Sequence, residues 1–263
     1  NATVDTGTYY PLYLGVDTNM QRWLNASVDE LYVYSEELHA GAIYGLYSDM
    51  TAPPTTTQPT PRPTFSSAPT VYTFESHLVA SYPMSKGRAV DSIGRKNGQP
   101  FTYSTTLDEL ATTTSRDGSP DAVRLDPFAN QHIRFPASVT QDLVGTAARS
   151  ICLWARINDW DGGQIFEYGS QGAYPDPTEL FGLGVRRTPG SFVFTNHPSE
   201  KHNVTIQRSK AEWNDWHHYC VTYGRRGPKP WGNVTFYFDG DETATWNATV
   251  DTGTYYPLYL GVD

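Results

Sequence analysis

The chain carries the same seventeen residues twice: NATVDTGTYYPLYLGVD stands at 1–17 and again at 247–263. Asn247 is therefore Asn1 one period, 246 residues, later. Identity over such a stretch marks a window onto an array of near-identical repeats. It also constrains the fold. A segment with a place in a packed core has one such place per domain. Both copies cannot fill one slot, so a domain here is completed by a neighbouring repeat or chain.

The segment 51–70, TAPPTTTQPTPRPTFSSAPT, is dense in Pro, Thr and Ser and has no apolar periodicity. It reads as a linker. Proline favours polyproline II at about 3.1 Å per residue, so such a linker spans up to roughly 60 Å. Thr55, Thr56, Thr57, Thr60 and Thr64 make it an O-glycosylation candidate. The layout that follows is residues 1–50 as the C-terminal part of one repeat, 51–70 as linker, and 71–263 as the N-terminal and central part of the next. Phe65, Val71, Tyr72 and Phe74 flank the linker and are candidates for docking onto a neighbouring repeat by β-strand addition.

Aromatic residues make up 14% of the chain and charged residues 18%. That aromatic content builds a sizeable core and excludes general disorder. A net charge of −9 argues against nucleic acid as a partner and against an anionic membrane surface. No apolar run approaches the roughly 20 residues of a membrane-spanning helix. The opening NATVDTGTYY has no basic or apolar region of a signal peptide.

The runs 149–157, 217–223, 232–239 and 256–261 are rich in β-branched and aromatic residues and are bounded by Gly, Pro, Asn and Asp. They predict strands. SEELHAGAIYGLY, 35–47, predicts one short helix capped by Ser35. Many strands, Gly-rich turns and one small helix predict an all-β, antiparallel sandwich or jelly roll.

Asn25, Asn203, Asn233 and Asn247 (again as Asn1) each open an Asn-x-Ser/Thr sequon. Along GNVTFYFD, alternation sends Val234, Phe236 and Phe238 one way and Asn233, Thr235 and Tyr237 the other. The sequon asparagine then lies on the solvent face. Trp23, Trp231 and Trp246 stand one or two residues before sequon asparagines. They are candidates for stacking on the attached glycans, or else ordinary core and edge tryptophans.

RSICLWARI (149–157), EWNDWHHYCVTYG (212–224), NVTFYFDG (233–240) and YPLYLGVD (256–263) follow the order of laminin-G-like, concanavalin A-like jelly rolls. RWLNASVDELYVYSEELHAGAIYGLY (22–47) resembles that family's closing strand and terminal helix. LVASYPMSKGRAVDSIGRKNG (78–98) resembles its first strand and turn. His218-x-Cys220-x-Thr222 matches most of the pentraxin signature, with Tyr223 in place of its Trp and Arg225 in place of its last Ser. On the residues alone, two cysteines are either buried thiols or a disulfide. The resemblance makes the strands carrying Cys152 and Cys220 neighbours, which implies a disulfide and an oxidising, extracellular compartment.

Pentraxins bind paired calcium through an acidic stretch where this chain has Val16-Asp17-Thr18-Asn19. Those are too few oxygen ligands for that site. No cofactor is expected beyond a structural calcium ion at Asp91, Asp29 or Asp17. The Glu-x-Asp-x-x-Glu string of related β-glucanases does not occur. Asp159 and Asp161 stand in an Asp-Gly-Gly turn, and the adjacent His217 and His218 point to opposite faces of a strand, which prevents a joint site. The expectation is a non-enzymatic structural repeat unit of a secreted, glycosylated filament or surface coat, with identical repeats and covalent glycans as partners. The alternative is a lectin-like or adhesion module, binding carbohydrate multivalently.

Overall fold

A computed structural model describes residues 12–16, 23–51, 77–94, 96–102, 105–170, 179–196, 200–208, 212–225, 231–250 and 252. The first strands in chain order are β1 (Tyr13–Leu14) and β2 (Ala26–Tyr34), and the helix α1 (Ala40–Thr51) follows them. Then come β3 (Leu78–Tyr82), β4 (Gln99–Thr102), β5 (Thr105–Thr106), β6 (Thr112–Thr113), β7 (Ala122–Leu125) and β8 (Gln131–Arg134). The second half supplies β9 (Arg149–Ile157), β10 (Gly163–Ser170), β11 (Glu179–Val185), β12 (Ser191–Asn196) and β13 (Glu200–Thr205). It ends with β14 (His217–Arg225), β15 (Trp231–Phe238) and β16 (Asp241–Thr249). No helix among the described residues is long and apolar enough to cross a membrane.

The strands form two antiparallel sheets. One runs β13-β12-β11-β10-β1-β8-β4-β5, the other β16-β15-β14-β9-β2-β7-β6 with β3 paired to β2. This is the all-β jelly-roll sandwich that the strand pattern and the resemblance imply. The alternation in 232–239 is realised. Val234, Phe236 and Phe238 are buried in the layer between the sheets, against Phe192, Tyr219 and Val221. Tyr237 faces out, into a second cluster with Tyr34, Leu38, Ala42, Ile43 and the two cysteines. The apolar side of α1 thus packs on the outside of the second sheet.

Within 12–51, β1 lies in the middle of one sheet and β2 in the middle of the other. Tyr13 pairs with Glu167 on one side and Arg134 on the other. Val28 pairs with Ala155 on β9 and Val123 on β7. Without this segment each sheet falls into two parts. It joins the rest of the sandwich through residues 52–76, which lie outside the described residues together with Thr55, Thr56, Thr57, Thr60, Thr64, Phe65, Val71, Tyr72 and Phe74. The strand expected at 256–261 lies outside them too, as do Asn1 and Asp17; the copy of that strand in the first repeat is β1.

The helix begins later than its sequence suggests. It starts at Ala40, and Ser35 is not its cap. Ser150 on β9 explains the delay: its Oγ donates to Glu36 O at 2.7 Å and accepts from Leu38 N at 2.9 Å. That holds 36–38 against the sheet. The first turn is capped instead by His39, whose Nδ1 accepts from Ala42 N at 3.2 Å.

Candidate functional site

The sequons at Asn203, Asn233 and Asn247 cluster at one edge of the sandwich. Asn233 and Asn247 are directly paired on β15 and β16, with Asn247 exposed and Asn233 half-buried. Side chains directly opposite in an antiparallel pair share a face, about 4.5–5.5 Å apart at Cβ. Asn203 on β13 is exposed, and its Oδ1 accepts from Arg186 Nη2 at 2.9 Å. Asn25 differs. It is half-buried, its Oδ1 is buried without a hydrogen-bond partner, and the Ser27 of its sequon is 1% exposed. Its backbone carbonyl accepts from Asn158 N at 2.9 Å and ties it to the β9–β10 turn.

The tryptophans have protein partners. Trp246 stacks on Phe194 and on His202, with ring centroids 6.2 and 5.4 Å apart, and so helps close the two sheets at this edge. Trp23 packs against the core beside His132, with ring centroids 5.5 Å apart. Residues 23–25 are not in a strand, so Trp23 and Asn25 have no common strand face. Trp231 opens β15 opposite Thr249; its side chain lies outside the described residues.

Cys152 and Cys220 are directly paired on β9 and β14 and form a disulfide, fully buried beneath α1. One position along the same face lie Trp154 and His218, also directly paired. His218 is fully buried, with no hydrogen bond to either ring nitrogen, against Trp154 and Tyr47. Burial holds its imidazole down at about 4, well below the ordinary histidine range. His217, on the opposite face, is bonded through Nδ1 to Asp239 at 2.9 Å and through Nε2 to Glu212 O at 2.8 Å.

Asp91 and Asp29, two of the three calcium candidates, have other occupations. Asp91 accepts four backbone N–H bonds, from Ser81 and Ile93 at Oδ1 and from Gly94 and Lys96 at Oδ2. Both oxygens are spent on the turn. Asp29 sits in β2 beside a bulge at which Glu30 takes φ +48°, and it is paired with Trp154. Burial first, then the neighbouring Glu30 carboxylate, push Asp29 up to about 7. Glu30 in turn pairs with Arg116 at 3.3 Å, and that guanidinium lies over the Trp154 ring at 4.7 Å. Among the described residues no three His, Cys, Asp or Glu side chains are arranged to hold a metal ion.

A cleft of about 370 Å³ opens at the rim of the sandwich. The β9–β10 turn lines it with Asn158, Asp159, Trp160 and Asp161; Arg187, Pro189, Trp213 and Asn214 complete it. The turn depends on glycine. Gly163 takes φ +142°, and a Cβ there would meet Leu24 Cα at 2.9 Å. Trp160 stands edge-on to Trp213 and Phe192, at 5.3 and 5.6 Å between ring centroids. Its indole Nε1, a donor only, is buried with no partner. Asp159 Oδ1 accepts from Trp160 N at 2.7 Å, and Arg187 Nε donates to Asp161 O at 3.2 Å. Amide, carboxylate and guanidinium groups line the cleft and can hydrogen-bond a small polar ligand, while Trp160 and Trp213 are buried in the core behind them. Sequence reading took Asp159 and Asp161 as turn residues only. The structure places Trp160, between those two aspartates, in the main hydrophobic core against Phe192 and Trp213.

Comparison with curated proteins and with solved structures gave no match. A family model does match: Laminin_G_3, described as the concanavalin A-like lectin/glucanases superfamily, over residues 128–263. That span takes in β9 to β16, which hold the disulfide, the paired sequons and the rim cleft. Two antiparallel sheets in jelly-roll order, a cross-strand disulfide and this match agree, and the chain belongs to the concanavalin A-like lectin/glucanase superfamily.

Proposed function

We propose that the chain is a structural repeat unit of a secreted, N-glycosylated extracellular filament or surface coat, without catalytic activity of its own. The observation that carries this is the repeated seventeen-residue segment, whose first copy supplies a central, buried strand of the sandwich. A segment that recurs one period later and fills a place in a core ties one repeat to the next. The exposed Asn203 and Asn247 and the neighbouring Asn233 give such a polymer a carbohydrate coat along one edge. The buried disulfide suits an oxidising compartment. Electron microscopy of the native secreted material is the test. Fibres with a uniform axial rise are expected; separate beads on a thread would overturn the filament.

The rim cleft favours a second reading, a carbohydrate-binding module made multivalent by repetition. A glycan array probed with the parent and with Trp160→Ala separates the two. Specific binding lost in the variant supports the module, whereas a blank array leaves the structural role alone.

A further inference from the structure

Leu12, Tyr13, Leu14 and Val16 are each at most 2% exposed. The strand Tyr13–Leu14 among them is held on both sides by β10 and β8, and Leu12 O accepts from Phe135 N. Gly15 follows at φ +89°, where an added Cβ would lie 2.3 Å from Leu125 Cδ1. In the second copy Leu258, Tyr259, Leu260, Gly261 and Val262 stand in the same places. Every side chain that fits the slot recurs, and so does the glycine.

Thr252 marks the way in. It is bridged to Gly145 by backbone bonds in both directions, at 2.6 and 3.2 Å. Its Oγ1 accepts from Arg149 Nη1 at 2.7 Å and donates to Leu143 O at 2.9 Å. Arg149 and Leu143 O are also the partners of the Tyr168 hydroxyl. Tyr168 is the residue after Glu167 on β10, so the antiparallel register sets it opposite Leu12, just before β1 begins. Thr252 is thus tied, through shared partners, to the entrance of the slot. Only residues 253–257 separate it from Leu258. Extended, they reach as far as roughly 20 Å.

We infer that the slot between β10 and β8 is a docking site for residues 258–262 of the same chain, entering from Thr252 in competition with residues 12–16. In a continuous array each sandwich then takes this strand from its own downstream end. The segment 12–51 is released to complete the sandwich before it, and the linker at 51–70 spans two domains. This goes beyond the filament reading and needs only the identity of the two copies.

Thermal unfolding of the full chain tests it, with Leu14→Ala, Leu260→Ala and the double variant. If either copy fills the slot, each single variant loses less than about 3 °C and the double loses about 5–15 °C. Hydrogen exchange on Leu14→Ala then shows the amides of Tyr259 and Leu260 gaining protection. Leu14→Ala losing as much as the double would overturn the inference. So would a rescue that appears only as protein concentration rises, with dimers in light scattering, because the strand would then come from another molecule. Leu14→Val and Leu260→Val repeat the comparison if the alanine variants do not fold. All readouts are on single molecules in solution, so they stand whether or not filaments form.

Discussion

Thr245 Oγ1 donates to Thr235 Oγ1 at 3.1 Å across β16 and β15, two residues along from the opposed Asn233 and Asn247. Thr235 is therefore both the third residue of the Asn233 sequon and half of a cross-strand hydrogen bond. The two roles separate by substitution. Thr235→Ser keeps hydroxyl and sequon, so the glycan at Asn233 is expected to stay. Thr235→Ala removes both, with loss of the glycan and about 1 kcal/mol of stability. Intact mass of the protein expressed in a glycosylating host and its urea midpoint check the two effects.

Arg149 is a fully buried cation whose partners are carbonyls, hydroxyls and rings. It donates to Ala147 O, Gly145 O, Thr252 Oγ1 and the Tyr168 hydroxyl, and lies within 5.6 Å of the Tyr168, Phe181 and Tyr223 ring centroids. Arg149→Ala strands these acceptors and opens a cavity, at an expected cost of roughly 3–5 kcal/mol. Arg149→Met keeps most of the volume and avoids burying a charge, so it is expected to cost distinctly less. Equal urea midpoints for the two variants would refute this account.

The disulfide closes a separation of 68 residues, which on the chain-entropy argument stabilises the fold by about 4 kcal/mol. Both cysteines are fully buried under α1. Reductant therefore reaches the bond only when the helix lifts or the sandwich opens. The rate of thiol release under native conditions is expected to follow unfolding rather than reductant concentration. Mass spectrometry of alkylated protein over a reductant series checks it.

Acid acts on His218 and Asp29 with opposite sign. His218 is held at about 4 in the fold by burial, so between pH 6.5 and 4 the unfolded chain takes up a proton that the folded one refuses. Stability from this group is present above 6.5 and lost as pH falls, by up to about 3 kcal/mol. His132, also held at about 4 by burial, acts the same way. Asp29, raised to about 7, favours the fold at low pH and loses that contribution as pH rises from about 4 to 7. His218→Phe is expected to flatten the acid limb of melting temperature against pH. Asp29→Asn is expected to be more stable than the parent at pH 8, with the gain gone near pH 4.

The alternation of 232–239 was legible because a strand with one buried face writes its period into the sequence, and Phe236 and Tyr237 do sit on opposite sides of the sheet. The cysteine pairing followed from family resemblance and then from register. The start of α1 was not legible, because Ser150, more than a hundred residues away, decides it. The rim cleft was not legible either. Trp160, Arg187 and Trp213 come from three separate connections between strands, and no local pattern announces that they meet. The backbone of Glu30 at positive φ likewise has no sign in a run that reads as uninterrupted strand.

The central place of residues 12–51 sets the order in which a sandwich can be finished. β2 pairs with β9 from Ala26↔Ile157 to Tyr34↔Ser150, and β1 pairs with β10. Whichever copy supplies these strands, the ribosome must have delivered residues from both ends of a repeat before either sheet closes. Closing such long loops costs entropy before any contact rewards it, and folding is slow in consequence. A sandwich closed by residues 12–51 therefore stays open during synthesis until β9 and β10, more than a hundred residues downstream of β2, have emerged.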